Sequence, residues 1–238
     1  IILTGILGFI IERTFLRPMV GEPVFSVAVL TIGIDILLRV VLDNWIGINP
    51  KYMGDPFPSF GNFGSLSIGG ITIKYLEVTA LIISLILIFV LSVFFKRSKY
   101  GVAMRATSLD QEAALAQGIN VGRVFGLVWF IAGLLAAFAG FFITGGFNTL
   151  TNSSFISALR ALPAVVIGGL DSITGAVIGS LIIGLTQAYV GYYQFDIESA
   201  YNIRLGNGFS IVAPYLIMFV ILLIKPHGLF GTEEVERV

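Results

Sequence analysis

Long apolar runs, separated by short polar stretches, occupy residues 1–11, 24–42, 75–95, 124–144, 155–170, 174–193 and 209–224. At 1.5 Å of rise per residue, about 20 apolar residues cross the hydrocarbon core of a bilayer. The runs 24–42, 75–95, 124–144 and 174–193 reach that length. The run 155–170 is shorter, contains Arg160 and Pro163, and ends in Gly168-Gly169. It reads either as a full span or as a broken, re-entrant helix sheltered by protein. Residues 1–11 are too short to span and lack the charged front and cleavage site of a signal peptide. They read as a stub whose preceding helices are missing. The predicted fold is all-α: one polytopic transmembrane helix bundle over 1–238, with its N-terminal spans absent.

Basic residues orient the bundle, because cytoplasmic loops are enriched in Lys and Arg. If the runs alternate sides, one set of connections holds nine: Arg13, Arg17, Lys96, Arg97, Lys99, Arg105, Arg123, Lys225 and Arg237. The other holds only Lys51, Lys74 and Arg204. The stretch 96–123 and the C-terminus are therefore expected inside, and loops 43–74, 145–154 and 194–208 outside. Loop 43–74 is dense in turn-forming pairs such as Asn49-Pro50 and Asp55-Pro56. Within it, Leu66-Ser67-Ile68 and Ile71-Thr72-Ile73 alternate around Gly69-Gly70, the pattern of a short β-hairpin. Trp45, Tyr52 and Tyr75 suit headgroup level. The loop reads as an interfacial lid or as a docking surface for an outside partner.

Composition fits a lipid solvent. The chain is 56% hydrophobic and 12% charged, with mean hydropathy +0.96, against about 25% charged in ordinary soluble domains. Zero net charge argues against a nucleic-acid binder. With no cysteine and one histidine, His227, disulfides, thiolate chemistry and a histidine metal cluster are excluded. No G-x-S-x-G, H-E-x-x-H or phosphate loop is present, so neither an enzyme nor an ATP site is expected, and no cofactor is implied.

The polar island Lys96–Arg123 carries the most information. Ser108 with Gln111 three residues on matches a capping box. Asp110 and Glu112 then fall in a first turn, where the helix dipole favours negative charge. Gly118 suits the position just past the helix end. The reading is a short helix over 109–117 with Ala113, Ala114 and Ala116 as a smooth surface. It serves either as a capped loop helix or as a docking element for another protein.

Asp35 and Arg39, four apart in the run 24–42, share a helix face. Charge at bilayer depth is expensive unless paired or wetted. The pair is either a self-neutralising structural element or part of a path for a zwitterionic solute. Arg160 has the same choice between snorkelling and pathway. Gly175 and Gly179 form a G-x-x-x-G that permits close helix contact. Asp171 is placed to cap the helix over 174–193, and His227 in its Pro-His-Gly turn to order the tail.

The island resembles the cytoplasmic loop of branched-chain amino acid permeases of ATP-binding-cassette (ABC) importers. The residues that carry the likeness are Tyr100-Gly101, Ala103-Met104-Arg105-Ala106, Asp110, Ala113-Ala114 and Gly118-Ile119-Asn120. Upstream, Glu12-Arg13, Leu16-Arg17-Pro18 and Thr31-Ile32-Gly33 are similar to an E-R, R-P and T-I-G block of that family. Downstream, Val166–Leu170, Gly175-Ala176 and Lys225–Gly231 are similar to its V-L-G-G, G-A and R-P-x-G-L-F-G blocks. The likeness runs through the whole chain in order. Asp35, Arg39, Asp171 and Gln187 depart from the usual family residues and leave the substrate open.

The resemblance implies a multi-pass plasma-membrane subunit that moves branched-chain or other small amino acids. It implies a second permease subunit, two cytosolic ATPase subunits and an external solute-binding protein as partners. Ser108, Glu112, Ala113, Ala114 and Gly118 would form the ATPase coupling element. Asp35, Arg39 and Arg160 would be candidates for the translocation path. The alternatives are an ABC permease for urea or short amides, and an ion-coupled secondary carrier.

Overall fold

The computed structural model describes all residues except 21, 48, 53–64, 69–70, 148, 151–158, 160, 203–205, 207 and 232–238. The chain divides into two compact units, Ile1–Ser154 and Phe155–Val238. Among the described residues, four helices are long and apolar enough to cross a membrane, and they are the four expected. They are α2 (Val24–Ile46), α3 (Tyr75–Arg97), α6 (Val121–Phe147) and α8 (Ile173–Tyr201). The protein is an all-α, multi-pass membrane protein. Its β-structure among the described residues is two short antiparallel ladders.

In the first unit, α1 (Ile2–Ile11) lies along α6 at a distance that only glycine allows. A Cβ on Gly8 would sit 2.4 Å from the Trp129 carbonyl oxygen, and one on Gly133 would sit 2.4 Å from that of Thr4. A π-helical turn, Glu12–Leu16, follows α1 and leads into a 3₁₀ turn, Arg17–Met19. Pro18 and Pro23 then separate this segment from α2. No residue of α3 is buried, as befits a helix made to face lipid or another protein. After α3, Ser98 reverses the chain by accepting a hydrogen bond from Gly101 N at 2.9 Å, which starts α4 (Lys99–Leu109). The elbow is tight, since a Cβ on Gly101 would lie 2.4 Å from the Phe95 carbonyl oxygen. The short helix α5 (Gln111–Ala116) completes the island.

The expected hairpin is present: β2 (Ser65–Ile68) pairs with β3 (Ile71–Lys74), with Ile68 opposite Ile71. A second ladder was not expected. There β1 (Lys51–Tyr52) pairs with β4 (Thr149–Leu150). It ties loop 43–74 to loop 145–154, which alternation had assigned to the same side.

In the second unit, the described part of the run 155–170 holds the helix α7 (Ala161–Gly168), and Leu159 before it is helical too. A tight turn at Gly169, with φ +100°, returns the chain into α8. Gly175 and Gly179 face α7 as the G-x-x-x-G pattern expected. A Cβ on either would lie 2.0 Å from a carbonyl oxygen, that of Gly168 or Ala164 respectively. Ser172, not Asp171, caps α8: its Oγ accepts from Gly175 N at 3.0 Å. Asp171 is one residue too early for that bond. Ala164, Ile167 and Ile183 form the core, onto which α9 (Phe209–Ile224) packs. The Lys225–Gly231 turn then folds back on α7. Leu229 N donates to Ile167 O at 2.7 Å and Phe230 N to Gly168 O at 3.1 Å, satisfying carbonyls that a helix end otherwise leaves open. The tail around His227 is thus an ordered plug.

Candidate functional site: the polar island and the charged pairs

The island holds two helices where one was expected. Ser108 lies inside α4, and its Oγ donates to the Arg105 carbonyl at 2.9 Å. It is therefore not an N-cap. That role belongs to Asp110, in extended backbone at φ −159°, whose Oδ1 accepts from Ala113 N at 2.9 Å. A capping carboxylate satisfies an open N–H and meets the positive end of the helix at once. The preceding stretch Lys99–Leu109 is rich in good helix formers, so the chain stays helical through Ser108 and breaks one residue later.

At the other end, Gly118 has the expected left-handed backbone, φ +81°. Gly118 N donates to Leu115 O at 2.9 Å and Ile119 N to Ala114 O at 3.0 Å, the paired closure of a Schellman motif. Asn120 then caps α6 through Oδ1, which accepts from Arg123 N at 2.9 Å. A six-residue helix has little stability of its own, and caps on both sides define it.

Its faces differ from expectation. Ala114 is only 3% exposed, turned into the protein's own interior. A partner cannot contact that side chain. Glu112, Ala113 and Ala116 are exposed, and so is Leu115. Leu109, at the α4–α5 elbow, is 88% exposed. Leucine in that position commonly staples against the fourth helical residue; here it points away. Leu109, at the end of α4, and Leu115, on α5, are thus exposed apolar side chains outside the four spans.

Asp35 stands at the midpoint of α2 and pairs with Arg39 as expected. Arg39 Nε donates to Asp35 Oδ2 at 2.8 Å and Nη2 to Oδ1 at 3.1 Å. The side chains of Arg39 and Asp35 are 27% and 51% exposed within this chain. Arg160 lies outside the described residues.

A second ion pair was not anticipated. Glu12 is 1% exposed, and its Oε1 and Oε2 accept from Arg17 Nε and Nη2 at 3.3 and 3.2 Å. A separation of five places two residues on different faces of an α-helix. The π turn, in which Arg17 N–H bonds to Glu12 O, brings them together. Sequence spacing alone carries no such signal. Nη2 of Arg17 also donates to the Gly122 carbonyl at 2.8 Å, reaching the α5–α6 junction. Beside this pair lies a cavity of about 420 Å³, bordered by Glu12, Thr31 and Ala28 of α2, Gln111 of α5, and Phe125 and Trp129 of α6. No cluster of metal-ligating side chains occurs among the described residues.

The family model described as "Branched-chain amino acid transport system / permease component" matches residues 1–224. The chain belongs to this family. It is similar to the high-affinity branched-chain amino acid transport system permease protein BraD of Pseudomonas aeruginosa. That match is 28% identical over 239 residues, covering 100% of this chain and 74% of the relative. Likeness to the permease protein LivH of Salmonella typhimurium is 30% over 244 residues, with the same coverage. The galactose/methyl galactoside import permease protein MglC of Haemophilus influenzae is 29% identical over 179 residues, 65% of this chain and 52% of the relative. No solved structure matches the chain. The protein is thus a permease component of a transport system, as the island's motifs suggested.

Proposed function

We propose that this chain is the membrane-spanning subunit of a plasma-membrane ABC importer for branched-chain or other small apolar amino acids. The observation that carries the reading is the family match through residues 1–224, together with a doubly capped helix presented by the basic, cytoplasmic island. In this reading a second permease subunit completes the pore, and two cytosolic ATPases dock on the islands of the pair. An external solute-binding protein delivers the solute. ATP-driven closure of the ATPases shifts α5, and the permease moves between inward- and outward-open states, each favoured by a different ligand state. The docking face is Leu109, Glu112, Ala113, Leu115 and Ala116. Ala114 packs behind it, Ser108 lies in the last turn of the helix that leads to it, and Gly118 ends it. Asp35 and Arg39 offer one group to each end of a zwitterion, with Arg160 as a further candidate on the same path.

Likeness to a galactoside permease supports sugar import as the second reading. The test is uptake of labelled leucine by vesicles holding the complex that co-purifies with this chain, with galactose and urea as competitors. Competition by valine and isoleucine but not by galactose or urea is expected; uptake of galactose in place of leucine would refute the substrate. Ala113→Trp, on the exposed face, should abolish uptake while the chain remains inserted. Normal uptake with tryptophan there would refute the docking face.

A further inference from the structure

We infer that Arg17 is the positioning residue through which motion at the α5–α6 junction reaches the Glu12 turn and α1, an inference that rests on the coupling role proposed for α5. Arg17 makes three charge-assisted hydrogen bonds: two to the buried carboxylate of Glu12 and one to the Gly122 carbonyl, 105 residues away from Arg17. Gly122 lies at the start of α6, directly after the Asn120 cap that follows α5. A Cβ on Gly122 would come within 3.4 Å of the guanidinium carbon, and one on Gly126 within 3.3 Å of Glu12 Oε2. Contact at Gly122 is thus of ordinary van der Waals length, while Gly126, whose Cβ would also meet the Phe9 ring at 2.7 Å, lets α1 and the Glu12 carboxylate lie close against α6.

The two ends of α5 are held differently. At its C-terminal end, the Schellman turn and the Asn120 cap lead α5 directly into α6, whose start Arg17 holds. At its N-terminal end, Gln111 borders two cavities, of about 420 and 440 Å³. Displacing that end meets little packed resistance, so a push on α5 becomes rotation about the clamped end. Arg17 receives the rotation and passes it to the Glu12 turn, which is continuous with α1. Only a planar fork serves here. Lysine keeps the charge toward Glu12 but cannot hold both carboxylate oxygens and a carbonyl in one geometry.

The experiment uses the co-purified complex in lipid vesicles, with leucine-loaded solute-binding protein as the stimulus. Hydrolysis and uptake are read per recovered complex for Arg17→Lys, for Glu12→Gln, and for Ala113→Trp as the reference. Arg17→Lys should be recovered with its ATPases, yet lose about tenfold in stimulated hydrolysis and uptake, the size of a typical coupling between sites. Glu12→Gln, which keeps shape and one acceptor, should lose in the same direction and serves as the readout if Arg17→Lys is not recovered. A fall in yield or thermal stability with full stimulation per recovered complex would reduce the pair to a structural role and overturn the inference. Normal stimulation in Arg17→Lys with loss in Ala113→Trp would overturn the joint and leave the docking face standing. Normal stimulation in both would overturn both.

Discussion

Gly179→Ala should damage this protein and Gly184→Ala should not, although both add one methyl to the same helix. A Cβ at 179 would stand 2.0 Å from the Ala164 carbonyl oxygen and 3.1 Å from Gly168 N. These are backbone atoms, and they cannot rotate away as a side-chain tip would. Ordinary contact begins near 3.4 Å, so α7 and α8 must separate by more than 1 Å. That movement would open the core formed by Ala164, Ile167 and Ile183 and strain the hydrogen bonds that the 225–231 turn makes to α7. Overpacking of this kind costs about 1–3 kcal/mol, and a clash with fixed backbone belongs at or above the top of that range. At 184 nothing lies within 4 Å of the added carbon. There alanine gains its helical advantage over glycine, about 1 kcal/mol in soluble hosts. The assay is thermal unfolding of the purified complex in detergent, with membrane yield recorded beside it. Equal shifts for the two variants, or a larger loss at 184, would refute the close contact of α7 with α8.

Removing the cap at Asp110 should cost about 1 kcal/mol of local helix stability, enough to unfold so short a helix; Asp110→Ala should then raise proteolytic cutting in the island and lower uptake, whereas Ser108→Ala should do neither. The reverse ranking would restore Ser108 as the cap. Because the chain has no cysteine, single cysteines give a clean test of orientation. Leu109→Cys should label only from the cytoplasmic side and Tyr52→Cys only from outside, and labelling of both from one side would overturn the topology.

What was legible in the sequence follows from how local each signal is. The four spans were visible because lipid imposes a length and a polarity that no local chemistry can imitate. The hairpin at 65–74 and the left-handed Gly118 were legible for the same reason, each needing only its own few residues. Caps were found one or two residues off. Ser108 and Asp110, or Asp171 and Ser172, are all competent capping residues, and only the last helical turn before the break decides between them. Ala114 was misassigned in direction because an alanine gives no hydrophobic signal strong enough to say which way a six-residue helix faces. Pairing of Glu12 with Arg17, and of Arg17 with Gly122, was out of reach. It depends on a π turn and on a contact spanning 105 residues.

The two ion pairs solve opposite problems. Glu12 is almost fully buried, and the fork of Arg17 donors meets both of its carboxylate oxygens, the geometry on which the proposed joint rests. Asp35 and Arg39 sit halfway along a membrane helix yet stay partly open on their own chain. Pairing lowers the cost of charge at mid-bilayer, and contact with protein or water lowers it further. A face of α2 turned to a second subunit or to a solute path, as the proposed function has it, meets that need. The same helix borders the 420 Å³ cavity through Ala28 and Thr31, two turns or less below Asp35. Thr31, Asp35 and Arg39, each four residues from the next, share one face of α2 and lead from that cavity past the middle of the helix.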